Sequence, residues 1–163
     1  MNVTMKGEPL TTVGTAPEVG TQLPDFKLAD KDGKTLTAAD FKGQTTLISV
    51  VPNINTSVCS IQTKHFNADA DKVPGIRFVT ISTNTAAEQS TWCAAEGVKK
   101  MEMLSDAKEE FGRALGLFIP AAGINSRSIF IVDASGKIRY RELISEQTTE
   151  PNYSAALDFL ATL

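Results

Sequence analysis

The stretch Thr45–Val51 constrains the fold more than any other part of the chain. It is a continuous run of apolar and β-branched residues without regular polar alternation, the pattern of a strand buried on both faces of a central sheet. Pro52-Asn53-Ile54-Asn55 breaks the run, and Asn55 or Thr56 can cap a helix from about Ser57 to Ala70. Ile76–Ser82 reads as a second buried strand. Asn84 or Thr85 caps a further helix through about Ala95, which Gly97 ends.

Outward from this centre the elements are short. Val3–Met5 and Leu10–Val13 read as strands around the turn Gly7-Glu8-Pro9, followed by a loop over Gly14–Pro24. Phe26–Leu28 and Thr35–Thr37 flank a turn at Asp30–Lys34. A short strand near Glu102–Leu104 leads to a helix capped by Ser105 or Asp106 and running to about Leu115. Ser128–Asp133 and Lys137–Leu143 flank Ala134-Ser135-Gly136 as a hairpin. Pro151-Asn152 opens a last helix with Tyr153, Ala156, Leu157 and Leu160 on one face. This order predicts an α/β protein, a thioredoxin-like fold with an N-terminal β-hairpin extension, in a single domain over residues 1–163.

Charge and composition exclude several functions. A net charge of -3 offers no basic footprint for nucleic acid. No phosphate-cradling Gly-rich loop follows a strand, so a nucleotide site has no support. The longest uncharged stretch, Gly43–Thr63, contains Pro, Asn, Gln, Thr and Ser and is no membrane span. Met1–Leu10 lacks the apolar core of a signal peptide, so the expected location is cytoplasmic. Two cysteines and one histidine cannot build a four-ligand zinc site without carboxylates. Cys59 and Cys93 form neither a Cys-x-x-Cys pair nor a disulfide framework, which leaves them as inert core thiols or redox groups.

Cys59 falls on the first turn of the helix expected from Ser57. The unpaired N–H groups of a helix start favour a negative sulfur there. Pro52 shapes the exit from the strand, and Thr56, three residues before the cysteine, can bring its hydroxyl to the sulfur. A thiolate among such donors is suited to attack an electrophilic oxygen. A buried cysteine packing a helix on a sheet fits the same spacing. Cys93 sits near the end of the next helix beside Trp92, where a core thiol beside a core aromatic is the plainer reading of the residues alone. Arg127, taken alone, reads as a surface arginine before a strand.

Pro52-x-x-x-Thr56-x-x-Cys59 directly after an apolar strand resembles the active-site signature of peroxiredoxins. Val58-Cys59-Ser60-Ile61-Gln62-Thr63 and Phe66-Asn67 resemble the thiol peroxidase subfamily, as do Trp92–Gly97, Arg127 before its strand, and Thr148–Leu157. The likeness runs over the whole chain and departs at Lys64-His65 and Phe118–Asn125. It implies that Cys59 attacks the terminal oxygen of hydrogen peroxide or an alkyl hydroperoxide and becomes a sulfenic acid. It implies further that Cys93 resolves this to an intramolecular disulfide, that thioredoxin reduces the disulfide, and that no metal, haem or flavin is needed. A homodimer is also expected. An ordinary thiol of pKa ~8.5 is about 3% thiolate at pH 7, so ionisation alone gains some 30-fold at most. The family's rates therefore need transition-state stabilisation, a role the resemblance gives to Arg127 and Thr56.

The remaining polar residues read as structural. His65 points away from the Cys59 side of its helix and is expected at the surface or facing a partner. Asp30–Lys34 and Asp69–Lys72 read as solvated turns, and Glu109-Glu110 as a solvated helix face. Two other functions use the same thiols: a redox sensor, which would turn over slowly, and a disulfide exchanger, against which the missing Cys-x-x-Cys argues.

Overall fold

The computed structural model describes all residues, 1–163. Its strands are β1 (Asn2–Met5), β2 (Glu8–Thr11), β3 (Lys27–Ala29), β4 (Thr35–Thr37), β5 (Thr46–Val50), β6 (Arg77–Ser82), β7 (Glu102–Ser105), β8 (Phe118–Ile119), β9 (Ile124–Asn125), β10 (Ser128–Val132) and β11 (Ile138–Leu143). Its helices are α1 (Ser57–Asp69), α2 (Ala86–Glu96), α3 (Glu110–Ala114) and α4 (Tyr153–Leu160). A seven-stranded sheet runs in the order β11-β10-β5-β6-β7-β3-β4. β5, β6 and β7 are parallel, and the outer strands are antiparallel. The fully buried β5 lies inside the sheet between β10 and β6, where its composition requires it.

The two faces of the sheet pack differently. Leu47, Phe78, Ile129 and Ile131 meet Phe66, Trp92, Ala156 and Leu160, so α1, α2 and α4 cover one face. Ile48, Val50, Val79, Ile81 and Phe130 meet Phe26, Phe41, Phe111 and Leu115 on the other. Alternate residues of each central strand thus feed opposite cores. No helix is long and apolar enough to cross a membrane.

Several local expectations shift. The N-terminal turn falls at Lys6-Gly7, both with positive φ, and Pro9 lies inside β2 opposite Thr4. Proline is tolerated there because the two-stranded sheet is all edge. The helix expected from Ser105 or Asp106 is the single turn α3. The Asp106 carboxylate accepts the N–H groups of Phe111 and Gly112, both at 2.9 Å, so it caps from a distance and leaves 107–109 as a turn. Burial pushes the Asp106 carboxyl up, against the hydrogen bonds that hold it down. The small hairpin β8–β9 occupies Phe118–Asn125, where no element was expected.

Asp69 corrects the reading of a solvated turn: it is 1% exposed. His65 Nδ1 lies 2.8 Å from its carboxylate and Lys72 Nζ 3.1 Å. His65 is half-exposed and stacks on Tyr153 at 3.7 Å between ring centroids, which ties α1 to α4.

Gly97 and Gly116 share φ +67°, but only Gly116 is crowded: an added Cβ would meet the Thr15 backbone at 2.5–2.8 Å. Gly97→Ala is expected to cost about 1 kcal/mol of backbone strain. Gly116→Ala should cost about 1–3 kcal/mol more, since the main chain at Thr15 has to move. Urea denaturation of both variants measures the difference, and equal losses would show that the segment around Thr15 yields freely.

Candidate functional site

The site begins where β5 ends. Val51 still donates to Ile81 O at 3.0 Å, but Pro52 has no N–H and the chain leaves the sheet. Asn84, from the loop after β6, then holds the next residues. Its Oδ1 accepts from Ile54 N at 2.8 Å and its Nδ2 donates to Asn53 Oδ1 at 3.1 Å. Asn53 carbonyl oxygen accepts from both the N–H and the hydroxyl of Thr56. This loop aims the Asn53 N–H at Cys59 Sγ, 3.5 Å away.

Thr56 is the N-cap of α1 by backbone geometry, yet its hydroxyl is turned to Asn53 O at 2.9 Å and caps no helical N–H. The expected contact from Thr56 to the sulfur is therefore absent. The N–H groups of Ser57, Val58 and Cys59 consequently have no protein acceptor. Such a helix start presents donors to an anion or a polarised oxygen. Ser57 and Val58 line a cavity of about 390 Å³ together with Met5, Pro52, Ile124 and Arg127.

Arg127 is 2% exposed, which overturns its plain reading as a surface residue. Its Nη2 donates to Cys59 Sγ at 3.4 Å and to Gln147 O at 2.7 Å. Its Nε donates to the same carbonyl at 2.9 Å, and Nη1 to Gln62 Oε1 at 2.8 Å. Gln62 is in turn fixed by donating Nε2 to Ser49 Oγ of β5 at 2.7 Å. Every identified acceptor is neutral oxygen or the sulfur, and no carboxylate lies within ion-pair distance of Arg127. A buried cation without a counter-charge costs several kcal/mol. Negative charge developing on the sulfur, or on an oxygen beside it, is what the guanidinium lacks.

Four of the five expected residues thus converge: Pro52, Thr56, Cys59 and Arg127. Cys93 does not join them. It is half-buried on the last turn of α2 and opens to a different cavity, of about 640 Å³, beside Gln89, Val98 and Met101. Both cysteines are free thiols. Burial pushes the Cys93 thiol up.

Gln62, Gln147 and Asn53 were missed as site residues. Gln62 had a signal, since a residue three positions after Cys59 shares its helix face. Gln147 and Asn53 had none, because only the tertiary fold brings their main-chain groups to the arginine and the sulfur. No group of three His, Cys, Asp or Glu side chains is placed to hold a metal ion.

The redoxin family matches residues 18–157 of the chain. The chain is similar to the thiol peroxidase of Bacillus subtilis, 41% identical over 96% of this chain and 94% of that one. It superposes on a peroxiredoxin-like protein from Aquifex aeolicus with TM-score 0.92, at 29% identity over 99% of this chain and 96% of the other. A thiol peroxidase from Chromobacterium violaceum has the same fold, with TM-score 0.90 at 20% identity, covering 99% of this chain and 96% of that one.

Gln62 provides a test of the electrostatics. Gln62→Leu leaves Ser49 and one guanidinium nitrogen without their partner and should cost about 1–3 kcal/mol of stability in urea unfolding. Gln62→Glu supplies the missing carboxylate to Arg127. It should slow the reaction of Cys59 with hydrogen peroxide about tenfold, by competing with the charge on the reacting atoms. An unchanged rate in Gln62→Glu would mean that the unpaired charge of Arg127 does not act on the sulfur.

Proposed function

The chain belongs to the redoxin family and is a thiol peroxidase; we propose that it reduces hydrogen peroxide and alkyl hydroperoxides at Cys59. The observation that carries this reading is the buried Arg127, which lacks a carboxylate and donates to Cys59 Sγ at 3.4 Å. The Cys59 thiolate attacks the terminal oxygen of the hydroperoxide. The S–O bond forms as the O–O bond breaks, and the departing oxygen takes up a proton and leaves as water or alcohol. Cys59 is left as the sulfenic acid. Arg127 stabilises the charge moving from sulfur to oxygen, with the free N–H groups of the first turn of α1 beside it. Thr56 and Pro52 act through shape: the Thr56 hydroxyl fixes the loop carbonyl of Asn53, and Pro52 forms part of the cavity wall.

Cys93 then attacks the sulfenic sulfur, releasing water and closing an intramolecular disulfide. A thioredoxin-type dithiol reduces it by exchange, and the protein works as a homodimer. The disulfide tolerates a Cα separation of about 7 Å at most, whereas Cys59 is wholly buried on the first turn of α1 and Cys93 sits on the last turn of α2, opening to a cavity that Cys59 does not line. Resolution therefore needs local unwinding. On the Cys93 side the last turn of α2 has to open, where Gly97 N and Val98 N both donate to Cys93 O. Opening also removes the burial that holds Cys93 as a neutral thiol.

Cys59→Ser should abolish turnover in an assay with thioredoxin, thioredoxin reductase, NADPH and peroxide, with the fold retained by circular dichroism. Cys93→Ser should permit one rapid oxidation and then stall with Cys59 as sulfenic acid, detectable by dimedone labelling. Substantial steady-state turnover in Cys59→Ser would sink the reading.

The resolution step carries its own pH signature. Since Cys93 is held above the ordinary thiol value, disulfide closure should accelerate as pH rises from 7 through about 9, measured by stopped-flow fluorescence of Trp92. Hydrogen exchange should report lower protection of Trp92–Gly97 and of the turn after Thr56 in the oxidised protein. Identical protection in both redox forms would exclude unwinding.

A further inference from the structure

We propose that Glu146 is a positioning residue for the peroxide reaction: its carboxylate clasps the N-terminal hairpin to the segment Ser145–Thr149 and so holds Arg127 against Cys59. The inference rests on the reading of Cys59 and Arg127 given above and adds a residue that the sequence motifs do not single out.

Gln62 holds one nitrogen of Arg127, and the Gln147 main-chain oxygen holds the nitrogen that reaches the sulfur. Gln147 O accepts from both Nε and Nη2, at 2.9 and 2.7 Å, and Nη2 is also the nitrogen that reaches the sulfur. The Gln147 side chain adds a bond from Arg127 N to Oε1 at 2.6 Å. A displacement of Gln147 therefore swings the guanidinium away from Cys59. Yet Ser145–Thr149 belongs to no helix and to no strand of the central sheet. Such a segment needs outside fastening to hold a position to the tolerance that catalysis requires.

The fastening comes from the hairpin β1–β2. Thr4 N donates to Ser145 O at 2.8 Å, and Gln147 N donates to Thr4 O at 2.8 Å. Glu146 lies between them and gathers donors from both sides. Its Oε1 accepts from Gly7 N at 2.8 Å and Thr4 Oγ1 at 3.0 Å, both on the hairpin. Its Oε2 accepts from Thr148 N at 2.7 Å and Thr148 Oγ1 at 2.6 Å, both on the segment. These bonds, those of Thr148 first, pull the Glu146 carboxyl down to about 2, although it is exposed. The anion thus joins two pieces of chain that have no ladder between them beyond the single bridge at Thr4 and Glu146. The hairpin lies outside the residues that the redoxin family matches, yet its Met5 and Lys6 line the same cavity as Arg127. Through Glu146 it reaches the arginine as well.

A double-mutant cycle separates positioning from general stability. The quantity read is the second-order rate constant for oxidation of Cys59 by hydrogen peroxide, with Tm recorded for each variant. Glu146→Gln keeps the size but turns an amide N–H₂ on donors that need an acceptor, and should slow oxidation about tenfold. In the Arg127→Ala background the same substitution should change the rate less than about twofold, because the group it positions is gone. Glu146→Asp should recover part of the loss. Thr4→Val, which removes one donor to the clasp and keeps the β-branched shape, repeats the cycle with a milder lesion should Glu146→Gln fold poorly, with a smaller loss also confined to the Arg127 background.

An equal loss in both backgrounds, or no loss in folded Glu146→Gln and Thr4→Val, overturns the proposal. Slowing by Arg127→Ala without coupling to Glu146 overturns the clasp and leaves the reading of the site standing. No slowing by Arg127→Ala overturns both. Acid unfolding provides a readout of the clasp itself. A carboxyl lowered from 4.5 to about 2 stabilises the fold above pH 4.5 and loses that contribution as pH falls towards 2. Wild type should therefore lose more stability than Glu146→Gln across that window, and parallel curves would show that the clasp does not fasten the fold.

Discussion

A buried guanidinium without a carboxylate is the constraint around which the site is arranged. Arg127 lies in the interior, and its partners are the Gln62 side chain, the Gln147 carbonyl and the Cys59 sulfur. Hydrogen bonds to a charged group are worth about 1.5–3 kcal/mol each, and they offset a desolvation penalty of several kcal/mol only when most donors are used. That requirement explains why so much structure converges there. Ser49 of the central strand orients Gln62, Gln62 orients one guanidinium nitrogen, and the segment after β11 supplies the carbonyl. The polar positions in otherwise apolar strands, Ser49 and Ser82 among them, serve this face of the sheet by binding the glutamines of α1 and α2.

The same face carries a conflict between order and motion. Cys59 is wholly buried and bonded to Arg127, which lines a cavity, and the loop at Asn53–Thr56 is held by Asn84. A pocket of this kind favours the first half of the proposed reaction. The second half of that proposed reaction needs the two thiols together, and in the reduced protein Cys59 is buried at Arg127 while Cys93 opens to a cavity that Cys59 does not line. The termini of two helices are where such a change is cheapest, because fraying a last or first turn breaks few hydrogen bonds. Cys93 sits on the last turn of α2 and Cys59 on the first turn of α1. In the proposed cycle, ordered helix ends would serve the attack, and the low cost of opening them would serve the resolution.

Much of this was legible in the sequence. The buried run Thr45–Val51 and the break at Pro52 determine a strand that feeds a helix starting after Thr56, with Cys59 on its first turn, because each rests on local stereochemistry. The capping box of Thr85 and Glu88 and the left-handed Gly97 bound α2 for the same reason. Local rules failed where a distant group replaced a local one. Asp106 caps α3 across a turn, Asp69 is buried by His65 and Lys72, and the Thr56 hydroxyl finds a loop carbonyl in place of the sulfur.

The sequence by itself therefore determined the order of the elements apart from the hairpin β8–β9, the placement of β5 in the interior and the candidacy of Cys59 and Cys93. Tertiary structure alone decided what surrounds the sulfur. Arg127 becomes buried because β10 lies beside β5 and delivers it to the end of that strand, facing α1. Gln147 matters through a main-chain oxygen that meets Arg127, and Glu146 through a carboxylate that meets Thr4 and Gly7 at the far end of the chain. Such contacts have no sequence signature, since a carbonyl is present at every residue and only the packing of the whole chain selects which one faces the charge.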